Sequence, residues 1–205
     1  MPDLNHLTSV ARGIIPAGYG LGTADPRQTY PAFPGETVQG IPRRIAEFRA
    51  GRAAARAALV ELGLPPRPIP VGADRAPIWP LGLQGSITHT ESLCLAAIGR
   101  GMGIGLDLEL ATPLDDDLRP SILRPEEAHF SAIEAKLVFC AKEAAYKAQY
   151  ARSRQLFDFQ TLAVTLDQGQ FVARFIDEVL PFSAGAELHG RWADVDGHFL
   201  AVAVL

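Results

Sequence analysis

The sequence predicts an α+β protein made of two similar α/β halves, each a long helix packed on a small, mostly antiparallel sheet. Three observations predict it. Two long stretches, 42–62 and 133–152, repeat apolar residues at helical spacing. The stretch Ile104-Gly-Leu-Asp-Leu-Glu-Leu110 alternates with a period of two, the pattern of a strand with one buried face. Each half also ends in a hairpin-like segment, 92–110 and 186–204, a loose echo without a close repeat. The expected division lies at 105/106, giving an N-terminal half, 1–105, and a C-terminal half, 106–205.

Bulk properties narrow the class. A chain of 205 residues buries a real core, and its 48% hydrophobic content is that of a globular protein. A net charge of −4 argues against a general nucleic-acid binder. No apolar run is long enough to span a bilayer, and the N-terminus lacks a basic start followed by an apolar core. Cys94 and Cys140 fall in strand-like and helix-like segments, so both are read as buried thiols, not a disulfide or zinc site. A cytoplasmic protein without a membrane span is expected.

Residues 1–40, rich in Gly and Pro, read as an irregular lead-in with one strand. Pro42 suits the first turn of the helix over 42–62, and Gly63 the position beyond its end. Ile45, Phe48, Ala55, Leu59 and Leu62 form its apolar stripe, while Arg43, Arg44, Arg49, Arg52 and Arg56 crowd the remainder. These arginines read either as a solvated basic face or, together, as phosphate binders, because guanidinium forks match phosphate oxygens. The proline-rich 65–80 connection carries Trp79, read as a core plug, and Arg75, a second phosphate contact. In Gln84-Gly-Ser-Ile-Thr-His-Thr-Glu91, His89 is either a phosphate donor or a structural histidine satisfied by its neighbouring hydroxyls.

Residues 92–110 read as a hairpin turning at Gly99-Arg-Gly101. Opposite its apolar row, the second strand carries Gly103, Gly105, Asp107 and Glu109. Glycine in a strand marks close approach by a ligand or another backbone. Carboxylates at i and i+2 share a face about 7 Å apart. They read as half of a site for a hard divalent cation, or as two surface acids. The acidic run Asp115-Asp-Asp117 reads as a solvated loop, and Arg124-Pro-Glu-Glu127 as the start of a helix. The helix over 133–152 has an apolar stripe of Ile133, Leu137, Cys140, Ala141, Ala144 and Ala148, and a second stripe of Lys136, Glu143 and Lys147. Glu143 and Lys147 are an i,i+4 pair in apolar surroundings, which weakens the reading of a surface salt bridge. Hairpins are expected around Asp167-Gln-Gly169 and Asp194-Val-Asp-Gly197.

Gly105-Leu-Asp-Leu-Glu109 and Phe139-Cys-Ala-Lys-Glu-Ala-Ala-Tyr-Lys147 together resemble the paired signature of the 4′-phosphopantetheinyl transferases. Gly85-Ser-Ile-Thr-His89 resembles a third motif of that family. The helix around Glu47-Phe-x-x-Gly-Arg52 and the Pro77-Ile-Trp-Pro80 loop are similar to the branch typified by enterobactin synthetase component D. These motifs in order make a specific signal where each alone is weak.

The resemblance implies a pseudo-dimer of two halves with the active site in the cleft between them. It implies transfer of the phosphopantetheine arm of coenzyme A to a serine of an apo acyl or peptidyl carrier protein, releasing 3′,5′-ADP. By that resemblance Asp107, Glu109 and Glu143 hold Mg²⁺, or Mn²⁺, and Glu143 or Glu109 is the base. Lys147 serves the leaving group, and Lys142 touches a phosphate. His89, with Ser86 or Thr88, binds a phosphate, and Arg44, Arg52 and Arg75 hold the 3′-phosphoadenosine end. The reaction needs such groups: a cation against the pyrophosphate, a base near the hydroxyl and positive charge at the leaving phosphate. Arg75 keeps the charge of the lysine common at its position. The chain is expected to be a monomer. The 111–130 region, through Ile122, Leu123 and Phe130, is read either as a carrier contact or as core. A non-catalytic module binding coenzyme A or a carrier is the competing reading. An unrelated Mg²⁺-dependent phosphate enzyme would need a glycine-rich phosphate loop, and the sequence has none.

Overall fold

The computed structural model describes residues 3–101 and 103–205. Met102, the first residue of the expected strand 102–110, lies outside them. The chain divides into two compact units, Met1–Gly101 and Met102–Leu205. The division precedes the expected 105/106 boundary because the whole strand from Ile104 belongs to the second sheet.

The first unit begins with α1, Leu4–Ile14, which the reading of 1–40 missed. Its signal was present. The Asp3 side chain accepts from the Asn5 N–H at 2.8 Å as an N-cap, and Leu7 and Ala11 are buried at i,i+4 spacing. Then follow β1 (Tyr19–Ala24), α2 (Pro42–Glu61), β2 (Gln84–His89) and β3 (Cys94–Gly99). The antiparallel sheet runs β1-β3-β2. α2 lies on it because β1 carries glycines where the helix backbone comes closest. A Cβ on Gly20 would stand 2.2 Å from the Ala58 carbonyl oxygen, and one on Gly22 2.0 Å from that of Ala54. Ala50, Ala54 and Ala58 complete this close packing. Trp79 packs partly buried against the same cluster, as expected.

The second unit contains β4 (Ile104–Leu110), a short α3 (Arg119–Ile122), two 3-10 turns (Pro125–Glu127 and Phe159–Thr161) and α4 (Ala132–Ser153). β5 (Leu162–Asp167), β6 (Gln170–Phe175), β7 (Glu187–Val195) and β8 (His198–Val204) complete it. The antiparallel sheet runs β4-β8-β7-β6-β5, and the two expected hairpins are β5–β6 and β7–β8. The 124–130 segment stops after one turn, and α4 begins afresh at a capping box of Ser131 and Glu134. α4 meets β4 as α2 meets β1: a Cβ on Gly105 would stand 1.8 Å from the Ala144 carbonyl oxygen, and one on Gly103 2.5 Å from that of Ala148.

The expected 92–110 hairpin is not formed. β3 has β1 on one edge and β2 on the other, so no edge remains for β4, which pairs with β8 instead. Cys94 and Cys140 are free and buried, as expected. No helix among the described residues is long and apolar enough to cross a membrane.

Candidate active site

The face of β4 that carries glycines carries the acids next. Two residues along a strand advance about 6.8 Å and four along a helix about 6.0 Å, so the two ladders stay nearly in step. Gly103 sits at Ala148, Gly105 at Ala144, Asp107 beside Cys140, and Glu109 against Lys136. The close approach that the glycines permit is therefore that of α4's own backbone, and it draws the acids against the helix.

Asp107 is 5% exposed. Its Oδ1 accepts from Lys147 Nζ at 2.6 Å, and the same ammonium donates to the Leu106 carbonyl at 3.0 Å. Its Oδ2 is buried, with no hydrogen-bond partner among the described residues. Glu109 Oε2 accepts from Lys136 Nζ at 3.2 Å. Glu143, one turn before Lys147, is half-buried in a pocket of about 160 Å³ walled by Tyr146, Phe157, Phe159 and Leu162.

These groups share one electrostatic environment. Burial pushes the Glu143 carboxyl above its ordinary range; Lys147 pulls it down, and the charges of Asp107 and Glu109 push it up again. Burial and then the Asp107 charge raise Glu109, against Lys136 and Lys147. Burial works against the Lys147 ammonium, but the Asp107 carboxylate, with Glu143 and Cys140, outweighs it and holds the lysine above its usual value.

As placed, no three His, Cys, Asp or Glu side chains among the described residues enclose a metal ion. The chemistry of Asp107, Glu109 and Glu143 fits one. All are oxygen donors, the preference of hard cations, and their charges disfavour one another without a counter-ion. The orphaned Asp107 Oδ2 is an acceptor in want of a cation or donor.

In the first unit a cavity of about 510 Å³ opens beside α2. Arg44, Arg52, Arg75 and His89 line it, with Phe48 and Ile87 as apolar wall. Arg44 Nη1 lies 3.2 Å from His89 Nε2. Arg52 is held from two sides: its Nε donates to the Ile69 carbonyl at 2.7 Å, and its guanidinium lies 4.3 Å from the Phe48 ring centroid. Burial lowers its pKa to about 10. Arg75 is carried by a tight loop closed by Gly72 N–H donating to the Ala76 carbonyl at 2.8 Å, and it takes φ 67°, unusual for a residue with a Cβ. A concave space of this size, with apolar and polar lining and a few convergent cations, suits a phosphorylated small molecule.

Several expected site residues fall elsewhere. Ser86 and Thr88 are buried on the face of β2 opposite Ile87 and His89, so period two turns them away from the cavity. Lys142 is 1% exposed, and its ammonium is spent on the protein's own oxygens. Its ammonium donates to Glu127 Oε2 at 2.7 Å, to the Ile122 carbonyl at 2.8 Å and to the Phe159 carbonyl at 3.1 Å. Ile122 and Leu123 are core residues, and Phe130 packs against that core. The run Asp115–Asp117 is exposed, as expected.

The sequence reading missed Glu36, Glu47 and the 37–39 wall of the cavity. Glu36 is 4% exposed, pairs with Arg56, and accepts from the Ile69 and Phe33 N–H groups at 3.0 and 2.9 Å. It thereby ties both proline-rich segments to α2. Nothing local distinguishes Glu36 from a surface acid. Glu47 lines the cavity and takes Arg43 Nε at 2.9 Å; its i,i+4 spacing from Arg43 was the available signal.

Comparison with known proteins accords with this arrangement. Residues 35–99 match the family model described as the 4′-phosphopantetheinyl transferase N-terminal domain, and residues 103–203 that of the 4′-phosphopantetheinyl transferase superfamily. The chain is 36% identical over 185 residues to 4′-phosphopantetheinyl transferase Svp of Streptomyces mobaraensis, covering 82% of this chain and 75% of that one. It is 31% identical over 212 residues to 4′-phosphopantetheinyl transferase Npt of Nocardia iowensis, covering 91% and 96%. It is 40% identical over 116 residues to enterobactin synthase component D of Salmonella typhi, covering 52% and 48%. The chain belongs to the 4′-phosphopantetheinyl transferase superfamily.

Proposed function

We propose that this transferase moves the 4′-phosphopantetheine arm of coenzyme A onto a serine of an apo acyl or peptidyl carrier protein, releasing 3′,5′-ADP. The single observation that carries the reading is the acid cluster of β4 and α4, with a buried Asp107 Oδ2 that has no partner among the described residues, beside Lys147 and Glu143. In this reading Asp107, Glu109 and Glu143 hold Mg²⁺, or Mn²⁺. When bound, the metal neutralises charge on the pyrophosphate.

The chain's own residues do the rest. Glu143 is the base that takes the serine proton, directly or through a water, with Glu109 as the other candidate. Its aromatic pocket and raised pKa suit a carboxylate ready to accept a proton. Lys147, held charged by Asp107, stabilises the departing phosphate. Arg44, Arg52, Arg75 and His89 grip the 3′-phosphoadenosine end, a role supported by the cavity they line. The matching glycine-permitted packing of α2 on β1 and α4 on β4 supports reading the chain as two related halves, hence a pseudo-dimer that works as a monomer. The reading places it in the cytoplasm, with coenzyme A. The name of the enterobactin synthase relative points to a carrier of nonribosomal peptide assembly.

The test is intact mass spectrometry of apo peptidyl and acyl carrier proteins incubated with this protein, coenzyme A and Mg²⁺. The expected result is a gain of one phosphopantetheine arm, abolished by chelator and by Glu143→Ala. No gain on either carrier, with coenzyme A still bound, would sink the transferase reading in favour of a binding module.

A further inference from the structure

We propose that Lys136 is a positioning residue that holds the Glu109 carboxylate in the acid cluster. Lys136 lies outside both paired motifs, seven residues before Glu143. The in-step ladders of β4 and α4 assign it its place. The rungs Gly103/Ala148, Gly105/Ala144 and Asp107/Cys140 extend by one further step to Glu109/Lys136.

Glu109 needs such an anchor more than Asp107 does. It is the last inward position of β4, and the next residue, Leu110, is already 49% exposed. A glutamate there has open solvent to swing into and more torsions than an aspartate with which to do so. Lys136 Nζ donates to Oε2 at 3.2 Å, with the lysine side chain 17% and the glutamate 30% exposed. The ammonium lies 5.4 Å from the Phe139 ring centroid, so it is confined between the carboxylate and an aromatic face. The arrangement repeats that of Asp107, whose Oδ1 accepts from Lys147 while Oδ2 has no partner among the described residues. On both strand acids a helix lysine fixes one oxygen, which leaves the other for a hard divalent cation.

The proposal rests on the acid-site reading above, and the experiment separates the two. Mn²⁺ alone is titrated into the full-length protein by calorimetry, for wild type, Lys136→Met, Lys136→Gln, Lys136→Arg, Glu109→Gln and Lys136→Met/Glu109→Gln. Transfer kinetics and urea midpoints are measured on the same proteins. We expect Lys136→Met and Lys136→Gln to weaken Mn²⁺ binding about tenfold or more. Lys136→Arg should recover most of that loss, and kcat should fall more than the KM for coenzyme A rises. In the Glu109→Gln background, Lys136→Met should add nothing further. If Glu109→Gln weakens Mn²⁺ while Lys136→Met and Lys136→Gln leave it unchanged, the positioning role is overturned and the acid site stands. If Glu109→Gln also leaves Mn²⁺ unchanged, both readings fall. If all three Lys136 variants lose affinity alike, with lowered urea midpoints, Lys136 is merely structural and the proposal is overturned.

Discussion

At Glu143 the protein holds a carboxyl group where its ionised form is disfavoured. Burial and the charges of Asp107 and Glu109 raise its pKa above that of an unfolded glutamate, about 4.3, with Lys147 opposing them. Between those two values the native state binds more protons than the unfolded state, so stability falls as pH rises. Below the unfolded value the penalty is absent, and above the folded value it is complete. Glu143→Gln removes the charge while keeping the shape. In chelator-containing buffer the variant should therefore melt higher than wild type at pH 7, and the gain should vanish near pH 4. A constant gain at both values would mean that the effect is packing rather than charge. The same variant should lose transfer activity by about 10²-fold or more, as expected on removal of a base. The pattern is a site whose residues are placed for chemistry at the expense of stability.

At the scale of elements, both long helices depend on glycine strands. Gly105→Ala drives a Cβ to 1.8 Å from the Ala144 carbonyl, and Gly22→Ala one to 2.0 Å from that of Ala54. In both cases the obstacle is backbone, which no rotamer change relieves, so each should lower stability by about 1–3 kcal/mol or more in urea titration. Gly13→Ala, in α1 with nothing within 4 Å of the added Cβ, is the control and should be neutral or stabilising. Lys142 pins α4 to the 122–127 segment and to Phe159 through a pair whose side chains are 1% and 2% exposed. Lys142→Met leaves the buried Glu127 carboxylate its two backbone donors, Arg124 and Val164 N–H, but no cation, and should lower stability by about 3–5 kcal/mol in the same titration. A loss under 1 kcal/mol would place water or another cation beside Glu127.

Much of this was legible in the sequence, because period two on β4 and the helical stripe on α4 report burial directly. The acids appear on the glycine face in the sequence itself, and the structure adds only that the face meets α4. What was not legible depended on partners far along the chain. That β3 spends both edges on β1 and β2, and that Lys142 meets Glu127, follows from no local pattern. Ser86 and Thr88 lie on the other face of β2 from His89 for a local reason. Alternation alone separates them from His89, once the segment is seen to be a strand.

Over the whole molecule the chemistry is divided: the first unit supplies a cationic cavity and the second an acid–lysine cluster. Residues that bind substrate and transition state alike change KM, whereas groups acting only in the transition state change kcat. Arg44→Ala and Arg75→Ala should therefore raise the KM for coenzyme A with kcat largely kept, and Lys147→Met should lower kcat. A charge-assisted hydrogen bond contributes about 1.5–3 kcal/mol, so each arginine that meets a phosphate should cost about tenfold or more in KM. Dephospho-coenzyme A, which lacks only the 3′-phosphate, identifies which arginine meets that group. Wild type should discriminate against it, and a variant without the responsible arginine should not. Arg52 makes the sharper contrast, because its Nε is already committed to the Ile69 carbonyl and its face to Phe48. Arg52→Lys keeps the charge but loses the planar fork, so it should lower urea stability as well as raise KM. If discrimination between the two coenzymes survives all three arginine substitutions, the cavity beside α2 does not hold the 3′-phosphate, and the binding role assigned to the first unit fails.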